Sequence, residues 1–212
     1  MNLVLIDYGI GNIKSIKNAF KKSGENLIIS RERSVILNSD GLILPGVGAF
    51  SHAMSNLINY DLVDILKDFA SLNKPILGIC LGMQLLFEES EEFGITKGLG
   101  LINGKVIKIP LSKSKSFKLP HISWNEIKSD KKSWNDTILE NLTNSSNMYF
   151  VHSFYAKPQS YDDILSFTDY LGFKFCSTVK KNNIFGCQFH PEKSGPAGLS
   201  IIKNFIEICK KN

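Results

Sequence analysis

The chain of 212 residues has few of the features that mark several large classes of protein. It contains only four cysteines, Cys80, Cys176, Cys187 and Cys209, and they do not form the C-x-x-C spacing of zinc or redox sites. A chain of this length can build a hydrophobic core without disulfide bonds. We therefore expect free thiols, no bound metal, no cofactor and a reducing, cytoplasmic environment.

Long apolar runs are also missing, since no segment approaches the roughly 20 apolar residues that a membrane-spanning helix requires. The apolar run at residues 3–6 is short and has no basic leader, so we expect neither a targeting peptide nor a membrane partner. The net charge is only +5, from 25 basic and 20 acidic residues. The densest basic stretch, residues 105–132, is interrupted by serine, proline and apolar residues, which argues against a nucleic-acid partner. Its Ser- and Lys-rich part, residues 112–118, is typical of an exposed loop.

The first half of the chain alternates short apolar runs with helical stretches. Apolar runs without polar alternation are typical of strands that are buried on both faces. Helices are predicted from the N-cap Asn12 to Gly24 and over residues 53–69. Strands are predicted at residues 3–6, 27–29, 41–44 and 75–79. This βαβ alternation predicts an α/β fold with a central, mostly parallel sheet flanked by helices.

The second half is predicted to be richer in strands, with little helix between them. We expect these strands to add antiparallel segments to the sheet, at residues 105–109, 119–127, 148–154, 164–168, 173–179 and 184–189. A last helix is predicted at residues 199–210. No repeat or long linker divides the chain, so we expect one domain over residues 1–212.

The strongest chemical signal is the segment GICLGMQ at residues 78–84. It follows an apolar strand and precedes a stretch that is compatible with a helix, residues 85–88. A sharp strand-to-helix turn can expose a nucleophile at a helix N-terminus, with glycines on both sides to avoid clashes. The alternative is that Cys80 is a small buried hydrophobic residue, as most cysteines in apolar runs are. The paired glycines favour the nucleophile.

A second signal is the segment QFHPE at residues 188–192. A cysteine nucleophile needs a base, and the base needs an acceptor that orients it. His190 and Glu192 supply both types of group two positions apart. Alone, this pair is weak, because a solvated loop histidine is common and a metal site lacks a third ligand with suitable spacing.

A third signal is the glycine-rich turn LPGVGAF at residues 44–50, which alone would be structural. The three signals have one joint explanation, in which Cys80 attacks a carboxamide, His190 moves the proton and Glu192 orients His190. Backbone amides near Val47 and Leu81 would hold the oxyanion, where losing one donor raises the barrier by roughly 3 kcal/mol.

Together these motifs resemble class I glutamine amidotransferases, whose flavodoxin-like fold agrees with the predicted sheet. Within that group the chain resembles the glutaminase subunits of imidazole glycerol phosphate synthases over essentially its whole length. The marks of this subfamily are DYGIGN at 7–12, PGVGAF at 45–50, Pro120-His121 with Trp124-Asn125, FVHS at 150–153 and HPEKS at 190–194.

The resemblance implies that L-glutamine is hydrolysed through a thioester on Cys80. Its amino-acid end would be held by Gln84 and by the backbone near Gly48, Ser153 and Phe154. Ammonia would pass to a (βα)₈-barrel cyclase subunit in a heterodimer that serves histidine biosynthesis. The resemblance also implies that Trp124 lies near this interface and that the partner switches on glutaminase activity at Val47.

The chain departs from the subfamily pattern at two positions, since Ser123 stands where glycine is usual and Phe154 where tyrosine is common. A paralogous glutaminase that supplies ammonia for acetamidino-sugar synthesis is therefore an alternative. Two interpretations from different classes of protein also stay open, namely a catalytically silent interaction subunit and a cysteine peptidase or small-molecule hydrolase. We expect His52, His121 and His152 to be structural or peripheral, and the three cysteines besides Cys80 to lie in the core.

Overall fold

The strands and helices follow the predicted α/β alternation in the first half of the chain. The computed structural model describes residues 1–110, 118–129 and 133–211, so the expected loop at 112–118 lies outside it except for Lys118. The strands are β1 (Leu3–Ile6), β2 (Leu27–Ser30), β3 (Gly41–Leu44), β4 (Ile76–Ile79), β5 (Phe87–Ser90), β6 (Thr96–Lys97), β7 (Ile102–Lys108), β8 (His121–Glu126), β9 (Asn147–His152), β10 (Phe154–Pro158), β11 (Ile164–Tyr170), β12 (Phe173–Lys181) and β13 (Ile184–Cys187). The helices are α1 (Ile13–Lys22), α2 (Arg33–Leu37), α3 (Phe50–Asn59), α4 (Leu62–Ser71), α5 (Leu81–Leu85) and α6 (Gly195–Lys211).

Within the described residues the main sheet has seven strands in the order β11-β12-β13-β4-β3-β1-β2. The five strands from β13 to β2 are parallel neighbours, whereas β11 and β12 extend the sheet in antiparallel pairing. The carboxyl ends of β3, β4 and β13 therefore meet at one edge. Ligands bind at this edge in open α/β sheets.

The core lies on both faces of this sheet, because successive side chains of a strand point to opposite faces. Leu3 and Leu5 of β1 pack with α1 and α6 on one face. Val4 and Ile6 pack with α3 and α4 on the other. All four are fully buried, which explains why these strands have no polar alternation.

The helix predicted over residues 53–69 is two helices, α3 and α4. They are separated at Asp61, which has a left-handed backbone with φ 53°. The predicted helix after Cys80 is also too long, because α5 ends at Leu85 and residues 87–90 form β5. The predicted N-cap Asn12 precedes α1, but its side chain makes no capping hydrogen bond. Helix α2 was not predicted.

The prediction that all later strands extend the main sheet is wrong for half of them. In the described residues β5, β6, β7 and β10 form a separate four-stranded sheet, and β8 and β9 form a two-stranded one. The strand predicted at 148–154 is divided at Ser153, where the chain passes from β9 in one sheet to β10 in another. Periodicity cannot reveal such a change of sheet, because it reports which face is buried and not which strand is the neighbour.

No helix among the described residues is long and apolar enough to cross a membrane.

The start of α6 packs closely against the turn that contains His190. A Cβ atom at Gly198 would lie 2.0 Å from the Pro191 carbonyl oxygen. Gly to Ala inside a helix normally stabilises by roughly 0.5–1 kcal/mol, but here the methyl group has no space. We predict that Gly198→Ala lowers the free energy of unfolding by about 1–3 kcal/mol, measured by urea denaturation. The matched variant Ser200→Ala on the same helix should change it by less than about 0.5 kcal/mol. Stabilisation by Gly198→Ala would contradict the packing.

Candidate active site

The strand-to-helix turn after β4 places Cys80 at the carboxyl edge of the sheet. Cys80 has a positive φ of 54° with ψ −111°, which is unusual for a residue with a side chain. Its N–H donates to the Cys187 carbonyl over 2.7 Å. A Cβ at Gly82 would lie 1.9 Å from the Leu44 carbonyl oxygen, so only glycine allows this approach. The predicted elbow is therefore present, although α5 behind it has only five residues.

The H-P-E turn follows β13 and is attached to the neighbouring strand β9. The His190 N–H donates to the Tyr149 carbonyl over 2.9 Å. Ser194 Oγ donates to the His190 carbonyl over 2.6 Å and accepts from the Tyr149 N–H over 3.0 Å. Pro191–Lys193 form a short 3-10 turn that brings the side chains of His190 and Glu192 together.

His190 and Glu192 form a buried ion-pair geometry, with 2.9 Å between His190 Nδ1 and Glu192 Oε1. Burial opposes protonation of His190, but hydrogen bonding and charge from Cys80 and Glu192 outweigh it and raise its pKa to about 10. Nε2 of His190 and Oε2 of Glu192 are buried without a hydrogen bond of ordinary geometry to any described residue. The attraction between His190 and Cys80 is therefore electrostatic more than a formed hydrogen bond, as is common before substrate binds.

The glycine-rich turn after β3 lies directly against the elbow. A Cβ at Gly46 would be 2.7 Å from the Gly82 nitrogen and 3.0 Å from Tyr8 Oη. Tyr8 is fully buried and donates its hydroxyl to the Pro45 carbonyl over 2.6 Å. Burial, and then the neighbouring Cys80, raises the pKa of Tyr8, so its hydroxyl remains a donor. The turn is therefore fixed at its start beside Cys80.

A cavity of about 250 Å³ opens over Cys80. The residues that line it are Val47, Gly48, Cys80, Leu81, Gln84, Glu92, Pro120, Val151, His152, Ser153, Phe154 and His190. Every residue predicted for the nucleophile, base, oxyanion hole and glutamine site is therefore on one cavity. Glu192 lies behind His190, and Trp124 is outside the lining set. The described residues contain no cluster of three or more His, Cys, Asp or Glu that could hold a metal ion.

The side chain of Gln84 supports the cavity wall. Its Nε2 donates to the Phe154 carbonyl over 2.9 Å and to Gln188 Oε1 over 3.0 Å. Nε2 of Gln188 in turn contacts Cys80 Sγ at 3.8 Å. Both hydrogens of the Gln84 amide are thus used within the protein, and its carbonyl oxygen is the part that can face a ligand.

Sequence reasoning missed Glu92, which lies in the segment between β5 and β6. Its Oε2 accepts from the Phe50 N–H over 2.7 Å at the start of α3, and its side chain lines the cavity. It belongs to none of the three motifs, and its neighbours Phe93 and Ile95 are strongly exposed. No local pattern in the sequence marks it, because only the position of the hairpin brings it to the cavity.

The predicted interface residue Trp124 is 53% exposed on β8. Its ring lies 5.9 Å from that of Tyr149, whose ring is 6.4 Å from His190. Ile122 on the same strand is 57% exposed. An apolar surface therefore lies near His190 without entering the cavity.

Comparison with known proteins agrees with this geometry. The model of the family described as glutamine amidotransferase class-I matches residues 4–209. The chain belongs to the class-I glutamine amidotransferase family. The predicted family is therefore confirmed, while the roles of its individual residues stay predictions.

Two relatives of this amidotransferase are described as imidazole glycerol phosphate synthase subunit HisH. The protein from Bacillus cereus is 46% identical over 205 residues, covering 96% of this chain and 93% of the relative. The protein from Legionella pneumophila (strain Lens) is 44% identical over 210 residues, covering 96% of this chain and 98% of the relative. A solved structure of a glutamine amidotransferase has a TM-score of 0.74 and 16% identity, covering 98% of both chains. That likeness shows the fold, and it confirms the predicted fold class.

The charge balance among Cys80, His190 and Glu192 can be tested by replacing Cys80 with alanine. Cys80 is the strongest of the influences that raise the pKa of His190 against burial. We predict that Cys80→Ala lowers this pKa, measured by a pH titration of the imidazole NMR signals. Cys209→Ala, which removes a buried thiol far along the chain, should leave it unchanged. An unchanged pKa in Cys80→Ala would show that no imidazolium–thiolate pair forms.

Proposed function

We propose that this amidotransferase is the glutaminase subunit of an imidazole glycerol phosphate synthase and that Cys80, His190 and Glu192 are its catalytic triad. The observation that carries the triad is the cavity over Cys80, which brings together three motifs that lie far apart in the sequence. The relatives named as HisH subunits, at 44% and 46% identity over nearly the whole chain, support the pathway. A cavity of about 250 Å³ suits an amino acid better than a drug-sized ligand, which needs roughly 300–1,000 Å³.

Glutamine would enter with its carboxamide towards Cys80 and its amino-acid end towards the wall formed by Gln84, Ser153 and Phe154. Glu92 is the carboxylate on this wall and would attract the α-ammonium group. Gly48 has a positive φ of 102° and no side chain, which leaves its backbone open to the ligand.

In the first half-reaction the Cys80 sulfur attacks the carboxamide carbon, and the negative charge moves to the carbonyl oxygen. Backbone N–H groups of Val47 and Leu81 would stabilise this oxyanion. His190 then donates its proton to the leaving nitrogen, so that ammonia departs and a γ-glutamyl thioester remains. Glu192 keeps the imidazole oriented through Nδ1.

In the second half-reaction water attacks the thioester. His190 takes a proton from the water, and collapse of the second tetrahedral intermediate releases glutamate and the Cys80 thiolate. The two half-reactions together consume glutamine and water and produce glutamate and ammonia. His190 changes roles between acid and base, which requires the same position in both steps.

The partner proposed here is a (βα)₈-barrel cyclase subunit that receives the ammonia. A protected path is physically sensible, because ammonia released into neutral water becomes mostly ammonium, which is not a nucleophile. The exposed apolar residues Ile122 and Trp124, beside the cavity, are the proposed docking surface, with Val47 as the point where docking acts on the oxyanion hole.

The cytoplasm is the proposed compartment, in keeping with four cysteines that are all free and buried.

The first test is glutamate release from glutamine by the purified chain with the cyclase subunit and its ribulosyl ligand. Cys80→Ala should lower the rate by at least about 1,000-fold, because the nucleophile is lost. Cys209→Ala should retain the rate. Activity that survives Cys80→Ala would exclude the thioester mechanism.

The partner is tested by the same assay with and without the cyclase subunit. We expect clear stimulation by the cyclase. If the isolated chain is folded and alkylated at Cys80 but the cyclase has no effect, the pathway is wrong. An acetamidino-sugar pathway would then be the next to test. A folded chain with no glutaminase activity under any condition would indicate a silent interaction subunit.

Glu92→Gln should raise the KM for glutamine about tenfold to a hundredfold, because a charge-assisted hydrogen bond contributes roughly 1.5–3 kcal/mol. Glutamine at this position keeps an oxygen for the Phe50 N–H, so the start of α3 should be retained. The measurement is steady-state kinetics, with Glu89→Gln on β5 as the matched control. An unchanged KM would remove Glu92 from the glutamine site.

A further inference from the structure

The wall of the cavity that faces Cys80 is formed where the chain passes from β9 to β10. His152 ends β9, Ser153 lies between the two sheets and Phe154 begins β10. All three residues line the cavity. The conformation of this short segment therefore decides the shape of the wall.

The Phe154 carbonyl is held from two sides. It accepts from Gln84 Nε2 over 2.9 Å and lies 2.8 Å from Nδ1 of His152. A carbonyl oxygen can only accept, so Nδ1 of His152 must carry the proton. This contact fixes the tautomer of His152 and leaves its Nε2 as an acceptor if the ring is neutral.

The ring is neutral at physiological pH. Burial lowers the pKa of His152 to about 3, although the hydrogen bond to Phe154 opposes the change. Burial also lowers the pKa of His121. Two neighbouring cations are thus excluded, and each ring has one donor and one acceptor nitrogen.

His121 completes the arrangement from β8. Its Nδ1 lies 3.1 Å from Nε2 of His152 and must donate to it, because that nitrogen is the acceptor. Its ring is stacked between Phe150 and Tyr170, with centroid distances of 5.2 and 4.0 Å, so it cannot turn freely. The other nitrogen of His121, Nε2, points towards Ser123 and Asn125.

Ser123 and Asn125 lie against the other nitrogen of His121. Nε2 is 2.8 Å from the Ser123 Oγ and 2.7 Å from the Asn125 side-chain oxygen. The Ser123 hydroxyl donates to that oxygen, so the three side chains form one polar cluster. Glycine, which is usual at position 123 in the subfamily, would leave this cluster without its hydroxyl.

We propose that His152 is a positioning residue for the glutamine site, because its Nδ1–H holds the Phe154 carbonyl and, through it, Gln84, while His121 holds the His152 ring at Nε2. This inference rests on the proposed glutaminase function. The sequence alone predicts only structural roles for His121 and His152. The consequence of the proposal is that loss of the Nδ1 donor weakens binding of glutamine more than it changes the reactivity of Cys80.

Two amide substitutions at His152 separate this role from simple packing. The amide nitrogen of asparagine can reach the place of Nδ1, where a donor is needed, and the amide oxygen of glutamine can reach the place of Nε2, where an acceptor is needed. His152→Asn therefore keeps the donor to Phe154 and loses the contact with His121. His152→Gln does the reverse. Both variants remove the same ring and leave a neutral amide.

The experiment measures KM and kcat for glutamine and the rate at which iodoacetamide alkylates Cys80, in the complex with the cyclase subunit. Alkylation by iodoacetamide displaces iodide and forms no oxyanion, and the reagent has no amino-acid end. Its rate therefore reports the reactivity of the Cys80 thiol alone. We expect His152→Gln to raise KM up to about tenfold, because the Phe154 carbonyl loses one of its two donors and Gln84 is left to hold it alone. We expect His152→Asn to stay within about threefold of the wild type. The alkylation rate should stay within about twofold in both.

Three results would overturn the proposal: an equal rise of KM in both variants, no rise in either, or a fall in alkylation that follows the rise in KM. If His152→Gln does not fold, as judged by circular dichroism and thermal midpoint, the same pair of substitutions at His121 is used. His121→Asn keeps a donor to His152 at the place of Nδ1, whereas His121→Gln loses it. We then expect His121→Gln to have the higher KM of the two.

Failure of the proposed function is recognised separately. Glutamine binding is measured by calorimetry in a Cys80→Ala background, where no turnover occurs. If the chain that keeps Cys80 binds glutamine but does not hydrolyse it, the glutaminase proposal fails. His152→Asn and His152→Gln then still test the positioning role through their affinities for glutamine. If no variant of this background differs in affinity, the positioning role fails while the glutaminase function stands.

Discussion

The positive φ of the Cys80 backbone is the constraint on which the rest of the site depends. A non-glycine residue in such a conformation costs on the order of 1–3 kcal/mol and persists only where the surroundings enforce it. Here the surroundings are the centre of the sheet. The Cys80 N–H is bonded to the Cys187 carbonyl on β13, and Gly82 packs against the Leu44 carbonyl at the end of β3. Neighbouring strands on both sides therefore hold the thiol at the edge of the sheet, and any residue larger than glycine at 82 would push the elbow away from β3.

The approach of two of the three motifs could be predicted from the sequence, because it follows from parallel pairing alone. A chain that alternates apolar strands and helices is typical of a parallel sheet, and the segments that follow its strands then lie at one edge. Residues 45–48 and Cys80 each follow a strand of this kind. His190 follows β13, which the sequence predicts as an antiparallel addition but which pairs in parallel with β4. The sequence therefore predicts an α/β sheet and the meeting of the first two motifs, whereas the place of His190 followed from the chemistry that a cysteine nucleophile needs.

The other wall of the cavity could not be predicted, for reasons of geometry. The division of the predicted strand 148–154 at Ser153 leaves no trace in hydrophobic periodicity, because both halves keep the same alternation of buried residues. Glu92 reaches the cavity only through the position of its hairpin. His121 and His152 are 31 positions apart and pair because β8 and β9 are in register. The sequence predicts one helix in place of α3 and α4 because a single left-handed residue, Asp61, separates two amphipathic segments of the same period.

Strand β9 connects the two walls and the outer surface. Its Tyr149 carbonyl holds the His190 N–H, and its last residue, His152, holds the Phe154 carbonyl. Its partner β8 contributes His121 to the interior and Trp124 to the surface, on alternate positions of one strand. A shift of the β8–β9 pair would therefore move His190 and the Phe154 wall together, while Cys80 is held by the central sheet. If the cyclase docks on Trp124 as proposed, it acts on the strand pair that holds His190 and not on the sheet that holds Cys80. In that case the elbow at Cys80 is formed in advance, while the alignment of Cys80 with His190 and with glutamine depends on the partner, which would limit the release of ammonia before a receiver is present.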